Sequence, residues 1–237
     1  SPLVFLYVRK HLREDCWSPE QIAGRLPIDH PGFTVDDETI YRYIYLSRNR
    51  KYDYRKYLTL KRQKRMKKFG RKIKRLSKIP NAQSIDLRSK LVLRRKQPGH
   101  WETDNMEGKR SDKTTVSVTV ERVTRYSQLV KLKNHKSETK ITAIGERIII
   151  FPEFLRKTMT ADNGAENTNH EDLTAQTKMS VFFCHPYHSW EKGSNENANG
   201  LVRRYLPKRS SLDDVSQQDL DDIAEELNNR PRKVLDF

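Results

Sequence analysis

The chain has 237 residues, of which 33% are charged and only 35% are hydrophobic, and its formal net charge is +16. That length allows one sizeable core and a smaller module. No apolar run approaches the roughly 18 residues of a membrane-spanning helix, and no signal-peptide pattern opens the sequence, so we expect a soluble chain that does not span a membrane. Cys16 and Cys184 lie far apart without a CxxC partner. This argues against zinc and favours a reducing, cytoplasmic compartment.

The positive charge is concentrated in the first part of the chain. Residues 1–100 contain 26 Lys and Arg against 9 Asp and Glu, a net charge of +17, whereas the remaining residues contain 21 against 22. Such asymmetry points to a nucleic acid or an anionic membrane surface as partner. The sequence begins at Ser1 inside a predicted helix, so we expect a piece of a longer protein.

Residues 1–47 are predicted to form a small helical module. The second of its three helices begins with a capping box at Ser18 and Gln21 and is expected to end at Pro27. Asp36 can cap the third helix. That helix is predicted to carry four side chains outward: Thr39, Tyr41, Arg42 and Tyr45. The pattern is typical of a helix-turn-helix DNA reader, and a three-helix protein-interaction bundle is the alternative.

Residues 48–99 are predicted to be a basic linker. Sixteen Lys or Arg fall within residues 48–78, too many for that stretch to bury a core. The candidate DNA contacts there are Arg62, Lys64, Arg65, Lys67, Lys68, Arg71 and Lys72. If about six of these charges met phosphates, DNA affinity would fall with salt on a log–log slope of about −5. The alternative to phosphate contact is that this stretch is a solvated linker or a localisation tag.

Residues 100–237 are predicted to be an α/β domain with the order βββ-α-β-α-β-α-α. The five strands are predicted at residues 101–108, 114–121, 125–133, 157–161 and 179–186. The second strand alternates valines with polar residues, which predicts one exposed face. The four helices are predicted at residues 137–150, 170–176, 191–207 and 213–228, the first capped by Ser137. Alternation of strands and helices favours an α/β fold.

Three acids stand at the ends or starts of these elements. Asp104 lies in the first strand, Asp162 follows the fourth beside the turn residues Asn163 and Gly164, and Glu196 lies near a helix start. Strand ends and helix starts form the usual ligand crevice of such sheets, so the three side chains can converge there. Carboxylates are the ligands that Mg²⁺ and Mn²⁺ prefer. Two ions are expected, with Asp104 bridging them and Asp162 and Glu196 terminal.

Other side chains near these acids are candidates for DNA contact. Lys192, Arg203 and Arg204 can grip phosphates, although the two arginines can equally be surface charges. The histidines are interpreted as packing or DNA-contact residues, because Mg²⁺ prefers oxygen: His100, His185 and His188. Trp101 and Trp190 are interpreted as core or wall residues rather than stacking platforms for a base, and the closeness of Trp190 to Glu196 in sequence keeps the stacking role open as its alternative.

Four segments carry a family resemblance: GHWETD, TADNGAEN, HPYHSWEKGSNENANGLVRRYLPK and LNNRPRK. They resemble the integrase core of bacterial insertion-sequence transposases of the IS30 family, and residues 18–45 are similar to the family's second helix-turn-helix. The resemblance implies an RNase H-like fold, here a mixed five-stranded sheet with helices, and Mg²⁺ dependence. It also implies that Asp104, Asp162 and Glu196 match the family's catalytic DDE acids.

The leading hypothesis is therefore a transposase that cleaves the terminal inverted repeats of its element and joins a 3′-hydroxyl to target DNA. Bringing two DNA ends together predicts a homodimer or a higher assembly, in a bacterial, nucleoid-associated setting. Two alternatives remain open. One is a DNA-binding regulator with a structural core, and the other is a nuclease of the same fold that cuts without joining.

Overall fold

The computed structural model describes residues 1–46, 52–58, 79–186 and 188–236. The chain divides into two compact units. One comprises Ser1–Arg71 together with Asn229–Phe237, and the other comprises Lys72–Asn228. No helix within the described ranges is long and apolar enough to cross a membrane.

The first unit is built on three helices, α1 (Pro2–Arg13), α2 (Pro19–Asp29) and α3 (Asp37–Tyr45). Their apolar faces meet in one core that includes Leu12, Ile22 and Ile40. The capping box is confirmed, since the Ser18 amide donates to Gln21 Oε1 (2.8 Å) and the Gln21 amide donates to Ser18 Oγ (3.3 Å). The prediction that Pro27 ends α2 is wrong. A proline this close to the C-terminus forfeits one intrahelical hydrogen bond, and the helix continues to Asp29.

Helix α3 buries Ile40 and Ile44 and exposes its opposite face. The four side chains predicted to point outward are exposed: Thr39, Tyr41, Arg42 and Tyr45. Asp36 stands at the N-cap position, but its side chain accepts no capping hydrogen bond.

The end of the described chain belongs to this helical unit rather than to the α/β unit. Gln21 Nε2 donates to the Pro231 carbonyl (2.7 Å), and Lys233 pairs with Glu20 (2.9 Å). The expected core boundary at residue 237 therefore moves back to Asn228. The prediction missed this because contacts about 210 residues apart leave no local pattern.

The second unit contains a mixed six-stranded sheet with the order β1-β6-β5-β2-β3-β4. The strands are β1 (Gln83–Ser84), β2 (His100–Glu107), β3 (Thr115–Glu121), β4 (Ser127–Leu132), β5 (Thr158–Ala161) and β6 (Ser180–Phe183). β2, β3 and β4 form an antiparallel meander, and β5 runs parallel to both β2 and β6. This is the RNase H-like arrangement, with the helices α4 (Ser137–Ile148), α5 (His170–Thr177), α6 (Gly193–Val202) and α7 (Gln217–Asn228).

The sixth strand corrects the expectation of five and shortens the predicted linker. β1 pairs in parallel with β6, with Gln83 opposite Phe182 and Ser84 opposite Phe183. Two 3₁₀ turns follow it, and Val92 in the second is buried. Two residues are too few to leave an alternation in the sequence, which explains why residues 79–99 were assigned to the linker.

Both faces of the sheet are covered, so the prediction of a half-exposed β3 is wrong. Every residue of β3 is buried. Val116, Val118 and Val120 join a core with α6 and α7, whereas Trp101 of β2 joins a second core with α4 and α5. The buried hydroxyls of Ser117 and Thr119 lie within hydrogen-bond distance of Thr103 Oγ1 across the β2–β3 pair (3.5 and 3.4 Å). A polar alternation thus reflects paired hydroxyls here rather than solvent contact.

Three helix boundaries also differ from the predicted ones. Ser137 is the first residue of α4 rather than its cap, and its hydroxyl accepts from the Asn169 amide (2.8 Å). α6 ends at Val202, and the 3₁₀ turn Ser189–Lys192 precedes it. α7 begins at Gln217 rather than at residue 213.

Candidate active site

Asp104 lies on the face of β2 that α6 covers. Glu102, Asp104 and Met106 alternate with residues of the opposite face, and Met106 packs in the core shared with α6 and α7. Asn199 of α6 donates from Nδ2 to Asp104 Oδ2 (2.9 Å). The strand therefore presents this carboxylate directly to the helix that carries Glu196.

Asp162 follows β5 immediately, in the turn before Gly164. Its Oδ1 accepts from the Gly164 amide (3.2 Å) and from Asn167 Nδ2 (2.9 Å). Asn167 Nδ2 also donates to the Asp162 carbonyl (3.1 Å), so one side chain holds both the backbone and the carboxylate of the turn. β5 is the parallel neighbour of β2, which brings Asp162 to the same region as Asp104.

The ammonium of Lys192 joins these two acids. Lys192 Nζ donates to Asp162 Oδ2 (3.0 Å), to Asp104 Oδ1 (3.1 Å) and to the Thr103 carbonyl (3.2 Å). Its side chain is 9% exposed. Burial alone would lower the pKa of Lys192, but the two carboxylates outweigh it and raise that pKa. Burial alone would raise the pKa of Asp162, but the positive charges of Lys192 and Lys140 outweigh it and lower that pKa.

Sequence reasoning placed Lys192 among the DNA contacts and missed this role. One lysine among many basic residues carries no pattern that marks it as the counter-ion of two acids. The only available signal was its spacing, four residues before Glu196, which places both on one face of a helix.

Glu196 lies on α6 between Lys192 and Asn199, both of which contact Asp104. Residues three apart share a helix face, so Glu196 lies on the face of α6 that also carries Asn199. It is exposed, and within the described ranges it makes no hydrogen bond or ion pair. The structure thus joins Asp104 and Asp162 through Lys192, but within the described residues the Glu196 carboxylate does not lie close enough to form a three-residue ligand cluster with them.

The donor set suits a hard divalent cation. The Asp104 and Asp162 carboxylates already hold one positive charge between them, and Glu196 lies in the first turn of the neighbouring helix α6. Asn199 Oδ1 is buried and has no hydrogen-bond partner in the described part of the chain. Carboxylate and amide oxygens of this kind are the ligands that Mg²⁺ and Mn²⁺ take.

A buried ion pair lies next to the acid pair and helps to attach α6 to the sheet. Glu102 and Arg122 are almost completely buried, with Oε1 and Nη1 2.5 Å apart. Glu102 Oε2 accepts from the Asn195 amide (2.9 Å), and Asn195 Nδ2 donates to the carbonyls of Glu102 (3.1 Å) and Val118 (2.7 Å). These contacts attach the start of α6 to β2 and β3, one residue before Glu196.

The remaining predicted residues have different surroundings. Arg203 donates to the carbonyls of Glu107 (2.7 Å) and Leu206 (3.5 Å), which ties the end of α6 to the end of β2. Arg204 is half-buried beside it. His100 is buried and hydrogen-bonded to Thr158 Oγ1 (2.8 Å), and burial lowers its pKa to about 4. Its interpretation as a packing residue agrees with this position.

The two tryptophans differ from each other. Trp101 is buried in the core, as expected. Trp190 is 66% exposed and stacks on the His188 ring with centroids 4.3 Å apart, so it is not a core residue, and the wall and base-stacking roles stay predictions. The seven candidate DNA contacts of the basic stretch lie outside the described residues: Arg62, Lys64, Arg65, Lys67, Lys68, Arg71 and Lys72.

Comparisons with known proteins show which family the chain resembles. The integrase core domain family matches residues 94–189. The chain is 37% identical over 235 residues to the transposase for insertion sequence element IS1086 of Cupriavidus metallidurans, covering 97% of this chain and 69% of that protein. It is 35% identical over 229 residues to the transposase InsI for insertion sequence element IS30A of Escherichia coli, covering 93% and 59%.

The chain belongs to the IS30 family of insertion-sequence transposases.

IS30-family proteins are transposases with an integrase core, a class of polynucleotidyl transferases, and such cores depend on divalent metal ions. The chain spans 69% and 59% of the lengths of the two relatives. Among solved structures, the catalytic core domain of BIV integrase matches with 20% identity and a TM-score of 0.42, covering 55% of this chain and 84% of that one.

Replacing Lys192 with Met in this IS30-family core is expected to destabilise it without metal and to strengthen its binding of divalent cations. Each charge-assisted hydrogen bond to Lys192 contributes about 1.5–3 kcal/mol, and the variant leaves two neighbouring carboxylates without a counter-ion. Thermal unfolding with and without Mg²⁺ measures both effects. Equal Mg²⁺-induced shifts in Tm for the variant and the parent chain would contradict the expectation.

Lys140 is fully buried beneath the Asp162 turn and donates to Asn167 Oδ1 (2.8 Å). Burial lowers its pKa from about 10.5 to about 8. Between these values the unfolded chain binds more protons than the folded chain, so Lys140 makes the free energy of unfolding rise with pH by about 3 kcal/mol in total. Lys140→Met should remove this rise, measured as the difference between the two urea-unfolding profiles from neutral pH to above pH 10. Parallel profiles would contradict it.

Proposed function

We propose that this chain is the catalytic part of a DDE transposase that cleaves DNA at transposon ends and transfers a 3′-hydroxyl to target DNA. One observation carries the proposal: Asp104 and Asp162 converge on a single positive charge, and α6, the helix that carries Glu196, contacts Asp104 through Asn199. Membership of the IS30 family gives the same direction.

The three acids are proposed as the ligands of two Mg²⁺ or Mn²⁺ ions, with Asp104 shared and Asp162 and Glu196 terminal. When bound, such ions lower the pKa of an attacking water or 3′-hydroxyl and stabilise the leaving oxygen. Asn167 and Gly164 orient Asp162, and Asn199 orients Asp104. Lys192 is displaced from between the acids and becomes available to a DNA phosphate.

DNA is proposed to reach both units. The exposed face of α3 presents hydroxyl and guanidinium groups through Thr39, Tyr41 and Arg42. The basic stretch, together with Arg203 and Arg204, supplies sequence-independent phosphate contacts. Double-stranded terminal repeats and target DNA are the proposed substrates. A homodimer or higher assembly on DNA is proposed, acting in the bacterial cytoplasm at the nucleoid.

Incubation of the chain with labelled duplex ends of an IS30-family element and Mg²⁺ tests the proposal. The parent chain is expected to give nicked ends and a joined strand-transfer product. The variant Glu196→Gln, which keeps the size of the side chain and removes its charge, is expected to give neither product. Nicking without joining would indicate a nuclease. Specific binding of the duplex without any nicking would indicate a DNA-binding regulator.

A further inference from the structure

Two histidines and a glutamate converge between β6 and α6. His185 Nδ1 lies 2.8 Å, and His188 Nδ1 lies 3.3 Å, from the same oxygen, Glu191 Oε1. One ligand atom from each of the three side chains lies within 4.8 Å of the others. The cluster is separate from the acid pair that Lys192 bridges, although Glu191 is the residue before Lys192.

A second carboxylate orients one of these histidines. His185 Nε2 lies 2.9 Å from Asp86 Oδ2, and the Glu191 Oε2 atom accepts from the His185 amide (2.8 Å). Metal-bound histidines usually donate the other ring N–H to a carboxylate or carbonyl, which fixes the tautomer and the ring plane. Asp86 stands in that position if His185 binds through Nδ1.

The chemistry of this cluster differs from that of the acid pair. Two imidazoles and one carboxylate are ligands for zinc-class transition metals, whereas oxygen-only sets suit Mg²⁺ and Mn²⁺. The His185 and His188 side chains are about two-fifths exposed, so solvent can take a fourth position. The spacing among the three atoms is compatible with bonds of about 2.0–2.2 Å to one central ion after small rotations.

We propose that His185, His188 and Glu191 bind one Zn²⁺-class ion, distinct from the ions of the DDE acids, with Asp86 orienting His185. The ion would join the end of β6 to the turn that carries Lys192 and leads into α6. It would thereby position the segment from which Lys192 reaches the acid pair. The site is structural and needs no role in the reaction.

The competing account is a purely hydrogen-bonded cluster, in which a protonated His185 lies between Asp86 and Glu191. To distinguish a metal site from a hydrogen-bonded cluster, the metal-stripped chain is titrated in excess Mg²⁺ with Zn²⁺, and with Co²⁺ as a coloured probe. Excess Mg²⁺ occupies oxygen-only sites and leaves a nitrogen-containing site for the probe. One equivalent of bound metal with the strong visible absorption of tetrahedral Co²⁺ is expected.

Four variants locate the ion. Asp86→Asn removes the orienting partner of His185 and should weaken the affinity for Zn²⁺ by about 10- to 100-fold. His188→Gln and Glu191→Gln each remove a ligand and should weaken that affinity by at least as much. His135→Gln, at an exposed histidine in the turn before α4, should bind as the parent chain does. Circular dichroism spectra that match the parent chain confirm that each variant is folded.

Asp104→Asn distinguishes the two sites. It should leave Zn²⁺ binding unchanged and keep the Co²⁺ spectrum. Failure to bind Zn²⁺ under these conditions would overturn the proposal, and so would binding that Asp104→Asn abolishes and His188→Gln leaves intact. Neither result bears on the proposed transposase activity, which depends on the acid pair and Glu196.

Discussion

Asp104→Asn is expected to reduce divalent-metal-dependent DNA cleavage by about a thousandfold or more while leaving duplex binding nearly unchanged. Metal ligation contributes several kcal/mol to transition-state stabilisation, and about 4 kcal/mol corresponds to that factor. Asparagine has the same shape and keeps an oxygen for the Asn199 amide hydrogen bond, so the strand and helix remain in place. Cleavage rates on a labelled duplex and binding measured by gel shift test both parts.

Glu225→Gln is the matched control for this prediction. Glu225 is an exposed acid on α7 in the same unit, so its neutralisation changes the net charge equally without touching the acid pair. The control should cleave like the parent chain. Asp104→Asn that retained cleavage, or lost duplex binding to the same extent as cleavage, would refute the assignment of Asp104 as a metal ligand.

Arg122→Met is expected to lower the free energy of unfolding of the α/β unit by about 3–5 kcal/mol. The substitution leaves Glu102, which is completely buried, without its counter-ion. The cost comes from an uncompensated buried charge, since neither Asn195 nor solvent can replace the guanidinium. Urea unfolding followed by circular dichroism measures the change.

Arg147→Met provides the comparison, because Arg147 and Asp221 form an ion pair in which both side chains are more than one-third exposed. Such exposed pairs contribute about 0.2–1 kcal/mol. The two variants therefore carry the same substitution and the same loss of charge, and they differ in burial. Equal losses of stability would show that the Glu102–Arg122 pair is not the buried clamp described above.

The sequence was most informative where a single local rule decides the structure. The strand segments predicted for β2, β3 and β4 match the observed bounds to within two residues, with period-two alternation marking β3, and the Ser18 capping box located the start of α2. The turn residues Asn163 and Gly164 correctly indicated where Asp162 would be presented. Fold and family followed from these elements together with the motif segments.

Features that depend on distant partners were not predictable. β3 reads as half-exposed because Ser117 and Thr119 are polar, yet their hydroxyls find partners on β2 once the sheet is covered on both sides. β1 exists only because β6 offers it an edge. The role of Lys192 as a counter-ion could not be predicted from the sequence, because its partners Asp104 and Asp162 are 88 and 30 residues away along the chain.

The two strand-borne acids differ in how tightly they are mounted. Asp104 lies inside a strand paired on both sides and is close to the Asn195 anchor, whereas Asp162 lies on a turn held by side-chain and amide hydrogen bonds. The sheet therefore fixes the position of Asp104, whereas the position of Asp162 depends on the hydrogen bonds of its turn. As reacting groups shift during successive chemical steps, the distance between the two carboxylates can change by movement of the Asp162 turn alone, without deformation of the sheet.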